Sequence, residues 1–161
     1  MNEVLVELYR HNTWANTKLI EFVRDLPEAT RESDVVIEGT RGPIADTLLH
    51  ITLAQEFYLS MFGRGERPAN NDFPGWEALL ERNRRCGEGF VAVAAEVDGD
   101  AMMDGRFRGE PTRMAASVIL TQVINHATDH RSQVATALTQ LGVTPPALDS
   151  WSFGREDGRM L

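Results

Sequence analysis

The sequence predicts an all-α, four-helix bundle with long crossover connections, and three observations lead to that prediction. Four long stretches repeat apolar residues at steps of three and four, whereas no convincing set of strands is present. Two of the connecting segments are long enough to cross the bundle. The 161 residues, 42% of them apolar, suffice for one hydrophobic core. We therefore expect one domain over residues 1–161 with a C-terminal tail over 143–161.

The first predicted helix covers residues 4–26 and carries a polar residue in its apolar seam. Pro27 ends it, because the residue before a proline is disfavoured in helical backbone. Asn12 fills the missing apolar position, and two interpretations remain open: a buried amide bonded to neighbouring backbone, or a polar group lining a site. His11 lies beside the seam, next to Trp14, so we predict a packed or half-exposed histidine rather than a metal ligand.

A polar connector over residues 28–42 leads to the second predicted helix. Pro43 suits the first turn of that helix, where a backbone N–H would have no helical partner. The helix carries His50 on its apolar side and ends near Gly63. Glycines, prolines and two adjacent asparagines indicate a loop over 63–74.

The third predicted helix covers residues 74–97 and is less regular than the others. Gly87 and Gly89 each cost about 1 kcal/mol relative to alanine in a helix interior. The single cysteine, Cys86, lies between arginines and glycines and has no partner for an internal disulfide. Neighbouring positive charge can lower the pKa of a thiol, but we interpret Cys86 as a small buried hydrophobic side chain.

A second long connector spans residues 98–111, and the alternation around Phe107 can form a short extended segment or hairpin arm. Thr112 is the predicted N-cap of the fourth helix. That helix runs to Leu141 and stops at Gly142.

Three of the four histidines lie on predicted apolar helical faces. His126 and His130 are four residues apart, so an α-helix stacks their imidazoles one turn apart on one face. His50 is the best candidate for a third partner. Three imidazoles suit a divalent ion and leave a coordination position open, as is typical of catalytic sites. Asp129 and Gln133 can brace a ligand ring. The alternative is a core in which each histidine finds only a hydrogen bond.

Composition and motifs exclude several other classes of protein. Sixteen basic and twenty-four acidic side chains give a net charge of -8, which argues against nucleic-acid binding. No apolar run approaches the roughly 20 residues that span a bilayer. The N-terminus lacks the features of a signal peptide, so we expect a cytoplasmic protein. The histidine pair is not the zinc-protease motif, because Ala127 stands where that motif requires glutamate.

At these motifs the sequence resembles the DinB/YfiT-like superfamily of bacterial four-helix bundles, which is unrelated to the DNA polymerase of similar name. The resemblance covers most of the chain, and His11 stands where the family often has an aromatic residue. It implies that His50, His126 and His130 are a metal triad. It rests on His11-Asn12-Thr13-Trp14-Ala15-Asn16, on Leu48-Leu49-His50-Ile51, on Asn125-His126-Ala127-Thr128-Asp129-His130-Arg131-Ser132-Gln133 and on Pro145-Pro146-Ala147-Leu148-Asp149.

The resemblance also implies a class of function, since the family includes hydrolase-like proteins, thiol-dependent S-transferases and a mycothiol-dependent isomerase. We expect a metal-dependent thiol S-transferase or hydrolase that acts on a small electrophile, with zinc or nickel and a low-molecular-weight thiol cosubstrate. Asn12 is the candidate catalytic residue, as a group that orients the substrate. The alternative is a non-enzymatic metal-binding or stress-associated dimeric bundle. Trp151 and Phe153 in the tail pack on the bundle or on another subunit, and the resemblance favours a homodimer.

Overall fold

The computed structural model describes residues 3–33, 35, 39–40 and 42–160, and most of these residues are helical. The elements in chain order are α1 (Glu3–Arg24), α2 (Glu28–Arg31), α3 (Ile44–Met61), α4 (Trp76–Glu96), β1 (Met102–Phe107), β2 (Glu110–Ala115), α5 (Ala116–Gln140) and α6 (Ser150–Glu156). The short α2 lies in the segment predicted as a connector. The remainder of that prediction falls partly on residues 34, 36–38 and 41, which lie outside the described residues.

The four long helices form a bundle in which consecutive helices are not always neighbours. Helix α1 packs most extensively against α4 and also against α5, whereas α3 packs against α5 and α4. Helices α1 and α3 therefore lie on one diagonal of the bundle, and α4 and α5 on the other. The chain crosses a diagonal from α1 to α3 and again from α4 to α5, which confirms the predicted all-α bundle with crossover connections.

Buried apolar side chains from all four long helices fill the space between them. One cluster joins α1, α3 and α5 around Leu19, Leu48 and Val134. A second cluster contains Tyr9 and Phe90, whose rings stack with centroids 4.9 Å apart. The Tyr9 hydroxyl donates a hydrogen bond of 2.8 Å to a backbone carbonyl of α5, so its polar end is satisfied inside the core.

The glycines of α4 lie where this helix approaches its neighbours, and they do not break it. A Cβ added at Gly87 would lie 2.9 Å from Thr13 Cβ on α1. A Cβ added at Gly89 would lie 2.6 Å from Leu59 Cδ2 on α3. The helix is continuous because tertiary packing outweighs the low helix propensity of the two glycines.

A two-stranded antiparallel hairpin precedes α5, and it corrects the predicted start of the fourth helix. Thr112 pairs with Gly105 in the ladder and does not cap a helix, so α5 begins at Ala116. The turn contains Arg108 and Gly109, both with positive φ, which suits the tight turn of a β-hairpin. The prediction of a hairpin arm around Phe107 is confirmed. The strand pairs join two segments of the same chain, and helical periodicity does not detect such contacts.

The C-terminal tail folds back on its own bundle through α6. The Asp149 side chain caps α6 by accepting bonds from the backbone N–H groups of Trp151 and Ser152. The ring of Phe153 packs against Trp14 of α1, with centroids 5.4 Å apart. Glu156 accepts a hydrogen bond from the Trp14 indole. Among the described residues, no helix is long and apolar enough to cross a bilayer.

Candidate metal centre

Two neighbouring helices carry the three histidines whose imidazoles converge. His50 lies near the middle of α3, and His126 and His130 lie one turn apart on α5. The Nε2 atom of His126 lies 3.1 Å from Nε2 of His50 and 3.2 Å from Nε2 of His130. Candidate ligand atoms of all three residues lie within 4.8 Å of one another. The structure therefore brings together the triad that the sequence predicted.

The spacing of the three nitrogens fits a shared cation. Bonds of about 2.0–2.1 Å to one ion, at tetrahedral or octahedral angles, separate two nitrogens by roughly 2.9–3.4 Å. Hydrogen bonds between the rings account less well for the geometry. An imidazole nitrogen carries one N–H or one in-plane lone pair, yet His126 Nε2 faces two other ring nitrogens. Three neutral imidazoles around one divalent ion satisfy all three nitrogens together.

Gln133 fixes the tautomer and orientation of the most buried histidine of the triad. His130 is 8% exposed, and its Nδ1 lies 2.7 Å from Gln133 Oε1. Because an amide oxygen only accepts, Nδ1 carries the hydrogen and Nε2 keeps its lone pair for a metal. Gly39, at φ +90°, packs against the Gln133 amide, and a Cβ there would clash with it. Asp129, the other predicted brace, has an exposed side chain.

A cavity of about 850 Å³ opens beside the triad, and we call it the histidine cavity. His50 and His126 form part of its wall, so both imidazoles are reached from this side. Apolar and aromatic side chains of α3 form one wall, and the loop between α3 and α4 forms another. The remaining lining residues are Asp46, Leu49, Leu53, Ala54, Phe57, Tyr58, Arg67, Pro68 and Asn71.

Asn12 lies in a buried polar network that joins all four long helices. It is 1% exposed and donates a 3.0 Å hydrogen bond to Gln55 of α3. Arg131 of α5 donates 2.7 Å bonds to the side-chain oxygens of Asn12 and Asn16. Asn83 of α4 accepts from the Asn16 amide at 3.2 Å. Asn12 is thus a buried amide bonded to side chains rather than to backbone, and it does not line the histidine cavity.

Arg131 brings a buried positive charge next to the triad in sequence. Burial lowers the pKa of its guanidinium to about 10, so the group stays charged at neutral pH. Within the described part of the chain, amide and hydroxyl oxygens bind it and no carboxylate lies at ion-pair distance. Sequence reasoning missed Arg131 and Gln55. A signal existed for Gln55, because steps of three and four from Leu48 reach it along a buried seam of α3.

Cys86 lies apart from the triad, in the wall of a second cavity of about 650 Å³. Its side chain is 2% exposed, and burial, with a smaller contribution from Glu56, raises the pKa of the thiol to about 12. The thiol is therefore protonated at neutral pH, as expected for a small buried hydrophobic residue. His11 is also apart, because its Nε2 contacts the Leu148 carbonyl at 2.8 Å beneath the C-terminal tail.

Known proteins are similar to this chain in sequence and in fold. The model of the DinB family matches residues 1–158. No curated protein matches the sequence. The crystal structure of a DinB-like protein from Bacillus cereus ATCC 10987 is similar, with a TM-score of 0.68 and 23% sequence identity. The similarity covers 91% of this chain and 96% of that one. At this level of identity, the similarity shows a common fold.

Proposed function

This chain belongs to the DinB family, and from that premise we propose that it is a metal-dependent enzyme with a divalent ion on His50, His126 and His130. Its reaction class is thiol S-transfer or hydrolysis on a small electrophile, with zinc or nickel as the ion. A low-molecular-weight thiol is the expected cosubstrate of the transferase. The protein's partners are then small molecules.

The observation that carries the proposal is the position of the triad at the wall of an open cavity. A structural metal site is typically closed by four protein ligands, whereas a catalytic site keeps a position open. Here three imidazoles converge, and two of them border a cavity lined by both polar and apolar groups. A cavity of this size holds a small molecule beside the ion.

The chain's own residues hold and shape this site. When bound, a divalent ion with three neutral ligands lowers the pKa of water or a thiol in its open position. Gln133 keeps His130 in the metal-binding tautomer. The network of Asn12, Gln55 and Arg131 ties α1 and α3 to α5 and so holds the ligand-bearing helices in place. We therefore propose a positioning role for Asn12, in place of direct contact with substrate.

The second candidate function is a non-enzymatic metal-binding bundle, in which the metal only stabilises the core. The observation in its favour is that the triad links α3 to α5 at the centre of both helices. In that case metal removal lowers stability and no small thiol reacts. Catalytic turnover of a small-molecule substrate therefore distinguishes the two functions.

The experiment begins with metal analysis of protein purified without a histidine tag, followed by a thiol-transfer screen on the same sample. Transferase activity should require an added small thiol, and activity of either class should disappear on chelation and in His126→Ala. Cys86→Ser should retain activity, because the Cys86 thiol is buried and protonated. Loss of turnover in Cys86→Ser with unchanged metal content would replace the proposal with a covalent cysteine mechanism.

A further inference from the structure

The histidine cavity has different chemistry at its two ends. Its α3 wall includes Asp46, His50, Leu53 and Phe57, which follow one another along the helix at steps of three and four. With a rise of 1.5 Å per residue, Phe57 lies about 10 Å along the helix axis from His50 and about 16 Å from Asp46. The cavity therefore extends from the triad over apolar side chains towards the C-terminal end of α3, away from the Asp46 carboxylate.

Arg67 brings a positive charge to that far end. Its guanidinium carbon lies over the Phe57 ring, 5.1 Å from the ring centroid. Other arginines of the same region have carboxylate partners: Arg64 pairs with Glu96, and Arg82 pairs with Glu56, both at 2.5 Å. In the described part of the chain, no carboxylate lies within ion-pair distance of Arg67. The contact with an aromatic face localises the charge and leaves its N–H donors available to an anion.

From this arrangement we infer that the site takes small molecules with a carboxylate at one end, and that Arg67 binds the carboxylate. The inference deepens the proposed function, on which it rests for the metal at the other end. The apolar body of the molecule would lie over Leu53 and Phe57. A planar guanidinium matches a carboxylate in a two-point hydrogen bond, and the Asn71 amide on the same wall can add a donor.

A carboxylate fits better than a phosphate because of the charge available. A phosphate dianion is typically bound by several cations or by the N–H groups at a helix N-terminus. Arg67 is the one cationic side chain among the described residues that line the histidine cavity, and Asp46 adds a negative charge at the opposite end. One guanidinium balances one carboxylate. Arg67 therefore determines specificity and takes no part in bond making.

The test compares two thiols of equal length by calorimetry on zinc-loaded protein. Mercaptooctanoate and mercaptooctanol share a thiol for the metal and differ in the terminal carboxylate. We expect the acid to bind about tenfold more tightly, as one charge-assisted contact near solvent provides. Arg67→Gln should remove this preference. Mercaptopropionate is too short to span the distance of about 10 Å from His50 to Phe57, where Arg67 lies, so the protein should bind it no more tightly than mercaptopropanol.

Arg64→Gln is the matched control, since Arg64 lies three residues away in the same loop and borders the second cavity, as Arg67 also does, but does not line the histidine cavity. It should keep the preference for the acid. Octanoate and octanol, tested on metal-free protein, separate this inference from the proposed function. If the protein binds no zinc, the metal proposal fails, while a preference for octanoate that Arg67→Gln abolishes still supports the role of Arg67. Equal binding of acid and alcohol by the wild type, or a preference that survives Arg67→Gln, would overturn the inference.

Discussion

At the scale of single residues, the candidate metal centre consists of three histidines and the hydrogen bond that orients one of them. We predict that His50→Ala, His126→Ala and His130→Ala each reduce bound metal sharply, because each removes one of three converging nitrogens. Metal content of untagged protein, measured by plasma mass spectrometry, provides the test.

The control for this prediction is His11→Ala, which should keep its metal because His11 contacts the tail at Leu148. Gln133→Ala should give an intermediate result, a loss of about 10–100-fold in metal affinity, because it removes a bond that orients a ligand. Full metal retention in any one of the three triad variants would show that the ligand set is misassigned.

The buried thiol of Cys86 and the buried phenol of Tyr9 should make the stability of the protein fall at alkaline pH. Burial raises the pKa of Cys86 to about 12 and also raises the pKa of Tyr9 above its ordinary value of 10.0. Folding favours the neutral forms, so their contribution is complete below about pH 9 and is lost as the pH rises through the folded pKa values. Each pH unit in that window should remove up to about 1.4 kcal/mol for each group.

Urea unfolding at about pH 8 and about pH 10.5 measures this effect. The free energy of unfolding should fall in the wild type and should fall less in Cys86→Ala, which lacks one of the two titrating groups. An equal decrease in both proteins would show that the Cys86 thiol does not resist ionisation in the folded state.

At the scale of elements, the approach of α4 to α1 depends on a glycine. We predict that Gly87→Ala destabilises the protein by about 1–3 kcal/mol, although alanine is the better helix former, because the added methyl meets Thr13. Thermal or urea unfolding is the measurement.

Two further variants identify the cause of that loss. Gly154→Ala in α6 should be neutral or stabilising, since the nearest atom to its added Cβ is 3.8 Å away. Combining Gly87→Ala with Thr13→Ala should recover part of the loss, as coupled neighbours do. If the losses of unfolding free energy in the two single variants simply add in the double variant, the strain does not arise from contact with Thr13.

At the scale of the whole molecule, the core should hold the fold without metal. Apolar side chains from all four long helices are buried, so the metal-free protein should keep its helical circular dichroism after chelation. Metal should then add stability by mass action, about 4 kcal/mol at a thousandfold excess over its dissociation constant. Collapse to random coil on chelation would instead make the metal a structural element.

The surface around α6 and the start of α1 leads us to propose a homodimer. Trp151 is 73% exposed and Val4 is 72% exposed, and both border a cavity of about 800 Å³ with Leu8. A large aromatic side chain in water is costly, and a second subunit would bury it. Sedimentation should give a dimer at micromolar concentration, weakened in Trp151→Ser. A monomer under those conditions would remove this proposal.

The sequence by itself determined the features that depend on local periodicity. Apolar steps of three and four identified the four long helices, and the spacing of His126 and His130 placed two imidazoles on one face of α5 before any fold was known. These features follow from the geometry of a single helix. Proline and glycine positions similarly located most of the helix ends, including the stop after Gln140.

Only the tertiary structure decided which of these faces meet. The packing of α3 on α5 brings His50 within 3.1 Å of His126 and opens the histidine cavity beside them. Thr112, predicted to cap the fourth helix, instead lies in the hairpin. Strand pairing is a contact between two segments of the chain, and the apolar periodicity of one segment does not reveal it. Arg131 shows the same limit. A charged residue is ordinarily expected at the surface, and hydrogen bonds to Asn12 and Asn16 of α1 and to Thr128 of α5 make its burial possible.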